Sequence, residues 1–304
     1  MKNLFLFILI LFSKNTDAQF HEVSFGIGLA NYYGDLSPLA SDQSLFEPVT
    51  SFGIRSNKIG ISAEYRYNFI KHFSVGLTLT HMSVAAKDSD NDSKQLYDKE
   101  FYRKIRNLSF YSNISEANVN LRYEPFRNEY KWDLDKFHLS PYVCLGVGVF
   151  KFNPMTEYKG EEYALQSLGT EGQGLPGQKD KYNLVQFSLP VTIGFKVTAP
   201  NRAVSFTLDA SYRFTTTDYL DDVSTVYVDP AKFSTFNAVE EASIIKALAE
   251  RRVEIDPSGQ YAYITSAGQM RGNSNNNDAF VTVQARISFL IPTRGSKDYR
   301  CTRY

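Results

Sequence analysis

The chain has 304 residues, with 33 Lys plus Arg against 33 Asp plus Glu, so its formal net charge is zero. That length suits one large domain or two small ones, and the charge balance removes the electrostatic case for a nucleic-acid partner or an acidic substrate. Cys144 and Cys301 are too few for a disulfide framework and lack zinc-ligand spacing. With 20 Tyr and 23 Phe against one Trp, the composition favours short two-faced strands over a helical core.

Residues 1–18 read as a signal peptide. Lys2 gives the positive n-region, Leu4 to Phe12 form an unbroken apolar run, and Thr16-Asp17-Ala18 makes a cleavage site before Gln19. The run is shorter than the ~18 apolar residues that a membrane anchor needs. Residues 19–292 then alternate apolar and polar side chains with a period of two, in eight successive segments. In chain order these are 22–29, 58–68, 73–80, 116–123, 143–149, 185–196, 204–213 and 281–289. The second is the clearest: Ile59, Ile61, Ala63, Tyr65 and Tyr67 share one face, and Gly60, Ser62, Glu64 and Arg66 the other.

Eight two-faced segments predict an all-β fold, an eight-stranded antiparallel transmembrane β-barrel, since a tilted strand crosses a bilayer in roughly 9–11 residues. The connections after segments two and six are tight and that after segment four is moderate. Those after one, three, five and seven are long, roughly 25 to 60 residues, as a barrel with periplasmic termini and extracellular loops requires. A soluble lipocalin-like barrel or a sandwich would also alternate, but with bulky residues on its inner face. Here the second face is Gly, Ser, Thr and Asn with scattered charges, which suits a narrow polar interior. Glu64, Arg66, Glu116, Arg122, Asp209, Arg213 and Arg286 are expected to face that interior and to pair, filling the lumen rather than lining a pore.

The loops hold the remaining motifs. Asp88 to Ser93 (DSDNDS) resembles the start of a calcium loop but has Ser93 where the glycine belongs and Lys99 where the closing glutamate belongs, so a solvated acidic tip is expected. Gly169 to Gly177 (GTEGQGLPG) lacks the ending of a phosphate loop and reads as a flexible connection. Residues 239–252 have helical spacing, with Ala242, Ile245 and Leu248 or Ala249 on one face, and predict one short loop helix over the barrel mouth. His21, His72, His81 and His138 all fall near segment ends, and His81 with Ser83 completes no triad. The chain is therefore read as non-enzymatic, with no cofactor, metal site or small-molecule substrate.

NYYGDLSP (Asn31 to Pro38), RNLSFYSNISE (Arg106 to Glu116), LGTEGQGLPG (Leu168 to Gly177), TDYLDDVSTVYVDP (Thr217 to Pro230), RGNSNNNDAF (Arg271 to Phe280) and the closing YRCTRY resemble the PorG family. That family comprises outer-membrane barrels of the Bacteroidota type IX secretion system, and the resemblance spans nearly the whole mature chain. It implies contact with a periplasmic ring built from a PorK-like lipoprotein and its PorN-like partner. The role implied is to tether or position that ring, with the conduit being a larger barrel. The other reading is a stand-alone small barrel serving envelope integrity or surface adhesion.

Cys301 lies in the tail 293–304, after the last segment and so on the periplasmic side, while Cys144 has inward parity within the wall. An internal disulfide would bring their Cα atoms within ~7 Å and force the tail into a packed lumen. Cys301 is therefore the candidate partner-binding residue, through an intermolecular disulfide.

Overall fold

A computed structural model of the chain describes residues 20–37, 58–70, 72–90, 99–127, 137–200, 203–236 and 238–292. The expected signal peptide 1–18 and the tail 293–304 with Cys301 lie outside the described residues.

Ten strands follow in chain order: β1 (Phe20–Tyr33), β2 (Lys58–Asn68), β3 (Phe73–Lys87), β4 (Ser109–Tyr123), β5 (His138–Lys151), β6 (Pro154–Tyr158), β7 (Glu161–Ala164), β8 (Val185–Thr198), β9 (Val204–Thr215) and β10 (Ala279–Pro292). Eight of them close an antiparallel ring in the order β1-β2-β3-β4-β5-β8-β9-β10. The seam runs from Phe20↔Pro292 to Tyr33↔Ala279, so the first barrel strand lies along the last and no barrel edge remains unpaired. Each of the eight alternating segments lies inside one of these strands. The remaining two, β6 and β7, form a hairpin that extends β4 through Tyr111↔Met155. Its turn is Lys159-Gly160, with φ of 53° and 84°; two positive φ values in a two-residue turn match the right-handed twist of the flanking strands.

Four short helices occupy the long connections among the described residues, where one was expected: α1 (Lys99–Arg106), α2 (Leu165–Leu168), α3 (Pro230–Phe236) and α4 (Val239–Ala249). The first three have 8, 4 and 7 residues, well short of the 11-residue window over which a 3.6-residue period emerges from sequence. The α4 helix was legible, and it buries Ala242, Ile245, Leu248 and Ala249 on one face, as its spacing predicts.

Toward the short-turn end, apolar side chains point outward and polar ones inward. On β3, Val75, Leu77 and Leu79 are exposed, whereas Ser74, Thr78 and Thr80 are buried. Burial inside and greasy exposure outside is the arrangement of a wall that faces lipid, in a band about 25 Å tall in such barrels. Aromatic rings gather at both margins. His21 stacks between Tyr65 and Tyr67 near the short turns, and Tyr212 packs with Tyr33 and Phe214 near the long connections.

Further along the same strands the polarity turns over. On β3, His81 and Lys87 face outward, while Met82, Val84 and Ala86 face inward and are buried. On β4, Asn113 and Ser115 face outward, while Phe110 and Ile114 are buried. The change falls at matched height, because Thr80 pairs with Glu116 and Met82 with Ile114. Beyond it the barrel has an ordinary hydrophobic core, joined by Leu36, Phe152, Leu165, Leu220 and Leu248 from the connections. The polar interior expected for the alternating segments holds along them, to Thr80 on β3 and from Glu116 on β4, and the strands run on past it with an apolar interior.

Candidate functional site: a filled lumen under a folded cap

The lumen is built from the inward positions of the eight strands, and its charged residues pair as expected. Glu64 on β2 collects three guanidinium groups: Arg66 at 2.8 Å, Arg286 at 2.8 Å and Arg122 at 3.3 Å. Arg286 also reaches Asp209 at 3.0 Å, whose other oxygen accepts from the Tyr142 hydroxyl at 2.9 Å. One level higher, Arg213 donates to Glu116 at 2.8 Å and to Thr282 at 2.7 Å. Lys196 and Glu22, which the sequence placed on the polar face without assigning them to each other, pair at 2.5 Å. Space for these long side chains comes from glycines on the same face. A Cβ at Gly76 would sit 2.6 Å from the Arg66 guanidinium, which itself bonds Asn120 at 2.5 Å.

The space left between these groups is about 20 Å³, bounded by Glu64, Asn120, Arg122, Tyr142, Cys144 and Arg286. A cavity needs roughly 10–15 Å³ to hold one water molecule, so this one accommodates about one water. Chemically, the arrangement is a cross-braced plug. Removing one partner of such a buried pair costs several kcal/mol, because the other charge is left desolvated.

Above the polarity change, the long connections fold into a cap. Glu171, within GTEGQGLPG, is buried; it accepts from the backbone N–H groups of Ser224 and Thr225 at 2.9 and 3.1 Å and pairs with Arg271 at 3.0 Å. That stretch is thus a packed part of the cap, not the free loop expected, because its acid satisfies donors from two distant points of the connection between β9 and β10. Asp88 corrects a second expectation. Far from a solvated tip, it is fully buried, binds Arg106 of α1 through both oxygens at 2.8 Å, and accepts from Leu108 N–H at 2.9 Å. Residues 91–93 of that motif lie outside the described residues. Asp222 adopts a left-handed φ of 67° and is held by Thr170, by the Tyr182 hydroxyl at 2.7 Å and by Arg271. Burial pushes its carboxyl up to about 6, against the pull of Arg271.

The profile of a Domain of unknown function, DUF6089, matches residues 1–240. The chain belongs to the DUF6089 family. Similar solved structures include Ail, the attachment invasion locus protein of Yersinia pestis, at 12% identity and a TM-score of 0.35, covering 91% of this chain and 100% of that one. OprG of Pseudomonas aeruginosa matches at 12% identity and a TM-score of 0.37, covering 91% and 98%. The N-terminal β-barrel domain of Pseudomonas aeruginosa OprF matches at 8% identity and a TM-score of 0.34, covering 90% and 100%. No curated protein matches the chain.

In this DUF6089 barrel, the sequence candidates separate. His81 Nδ1 lies 2.9 Å from Ser115 Oγ, not Ser83, whose hydroxyl donates to Asn113 at 2.6 Å. Among the described residues no carboxylate bonds to that ring. Cys144 is buried on the lumen side of β5, opposite Arg122 on β4, in keeping with its inward parity. The cluster that sequence reasoning missed is in the cap: Asp35, Asp218, Asp221 and Asp278, from connections far apart in the chain. TDYLDDVSTVYVDP carried the signal, since three acids within five residues are rare in a buried segment.

Proposed function

We propose that this DUF6089 barrel is an integral outer-membrane protein, with both termini in the periplasm, that tethers or positions the periplasmic ring of the type IX secretion system. The observation that carries this reading is the plugged lumen. A barrel whose interior is cross-braced by Glu64, Arg286 and Asp209 offers attachment, not passage. The PorG-like loop stretches, from Asn31 to Phe280, supply the system and the partners: a PorK-like lipoprotein and a PorN-like protein.

In this reading, residues 1–18 direct export, residues 19–292 form the anchor, and the tail 293–304 meets the ring. Cys301 then forms an intermolecular disulfide with the ring lipoprotein. Deleting the gene tests the role: secretion of cargo carrying the type IX signal is lost, and a detergent pull-down recovers the ring proteins. Non-reducing electrophoresis of envelopes tests Cys301. Wild type runs as a larger adduct that Cys301→Ser lacks, and identical migration removes the disulfide from the proposal.

A second reading is favoured by the cap, whose Val253, Ile255 and Tyr263 are exposed above the membrane level. A stand-alone barrel that adheres through this surface would leave secretion intact on deletion and change surface attachment instead.

A further inference from the structure

The Tyr32 hydroxyl, at the end of β1, lies 2.6 Å from Asp221 Oδ2 and 2.8 Å from Asp278 Oδ1. Both carboxyls are 1% exposed, and neither forms an ion pair among the described residues. One hydroxyl has one proton, and two carboxylates have none to give. Two contacts of hydrogen-bond length therefore require a second proton on one of the acids. The backbone decides which. Asp221 accepts through both oxygens, from Val223 N–H at 2.9 Å and Leu36 N–H at 3.2 Å, so it is the anion. Asp278 accepts only at Oδ2, from Leu220 N–H at 2.8 Å, which leaves Oδ1 to carry hydrogen.

We propose that the cap binds one shared proton in the chain Asp278 Oδ1–H to Tyr32 Oη–H to Asp221 Oδ2, and that this proton locks the cap at neutral pH. The chain joins the end of β1, the connection after β9 and the start of β10. These are three segments brought together only by barrel closure.

The surrounding charges act in the same sense. Asp35 from the β1 end and Asp218 from the β9 connection add negative potential, as does Glu171 from the β5 connection. Asp218 is itself buried, and its Oδ2 meets no donor. The cations nearby, Arg106 and Arg103 of α1, act from a distance, and Arg106 is engaged with Asp88. Burial, then Asp221 and Asp218, hold the Asp278 carboxyl well above its ordinary range. Burial, then Asp35 beside Asp221, oppose a second negative charge on the Asp221–Asp278 pair, so the pair holds on to one proton.

An acid raised on folding stabilises fully below its unfolded value, about 4, and that contribution is lost as pH climbs through the folded value. The cap therefore loosens as pH rises through about 8, where Asp218 ionises, and beyond, where Asp278 gives up the shared proton.

The mature chain refolded in detergent micelles provides the test. Wild-type cap cleavage by a non-specific protease rises about tenfold between roughly pH 6 and pH 10, because cleavage follows the population of the open form. Asp278→Asn, whose amide can donate to Tyr32 and still accept from Leu220, keeps neutral-pH resistance; it also loses one protonated-carboxyl band in the infrared spectrum. Asp221→Asn faces two N–H donors with one carbonyl and is cleaved about tenfold faster at every pH. A flat wild-type pH profile, equal sensitivity of the two variants, or an unchanged infrared band in Asp278→Asn would each overturn the proposal.

Discussion

Glu64 shows how much one lumen residue can hold. It meets Arg66, Arg122 and Arg286, and its second oxygen also accepts from Thr78 at 3.0 Å. Glu64→Ala leaves three buried guanidinium groups short of their shared counter-charge, and the expected loss is about 3–5 kcal/mol or more. The heat-modifiable gel shift of the refolded barrel should then appear at markedly lower temperature. Glu64→Gln keeps the shape and falls between the two, since it retains acceptors without charge. Individual lumen charges were legible from parity, because an inward charge must pair. Which partner each one takes was not, because that depends on the stagger between strands. Glu64 on β2, for example, meets Arg286 of β10 over the intervening strand β1 at 2.8 Å.

Period-two alternation identified all eight barrel strands, since lipid on one side and a narrow lumen on the other enforce it rung by rung. It did not reveal the polarity change at His81 and Met82. Alternation continues through that point with the same period, and only the identity of the greasy face reverses. The cap was illegible for a different reason: Glu171 and Asp222 gain their roles from residues in another connection far off in sequence, and Asp88 from Arg106 and Leu108 at the far end of α1, which no local window contains. The change of face sets the water boundary. In reconstituted vesicles, a membrane-impermeant maleimide should label Ser83→Cys quickly and Leu77→Cys slowly, although both side chains point outward. Equal labelling would remove the boundary. Val147, 65% exposed on the lipid face of β5, gives the complementary measurement. Val147→Arg should cost about 2–4 kcal/mol in bilayer folding titrations if it lies near the midplane.

At the scale of the whole barrel, the filled lumen predicts silence in a planar bilayer, with no conductance steps from the wild type. Replacing Glu116 and Arg213 together with alanine removes a brace without leaving a lone charge, and should admit small ions. The bond from Tyr32 to Asp278 spans 246 positions and closes only after β10 has zipped onto β1. The roof therefore serves as a receipt for finished assembly. A chain stalled before its last strand docks would display unsheltered acids and an unlatched roof, and envelope proteases could cull it before it ever reached a partner.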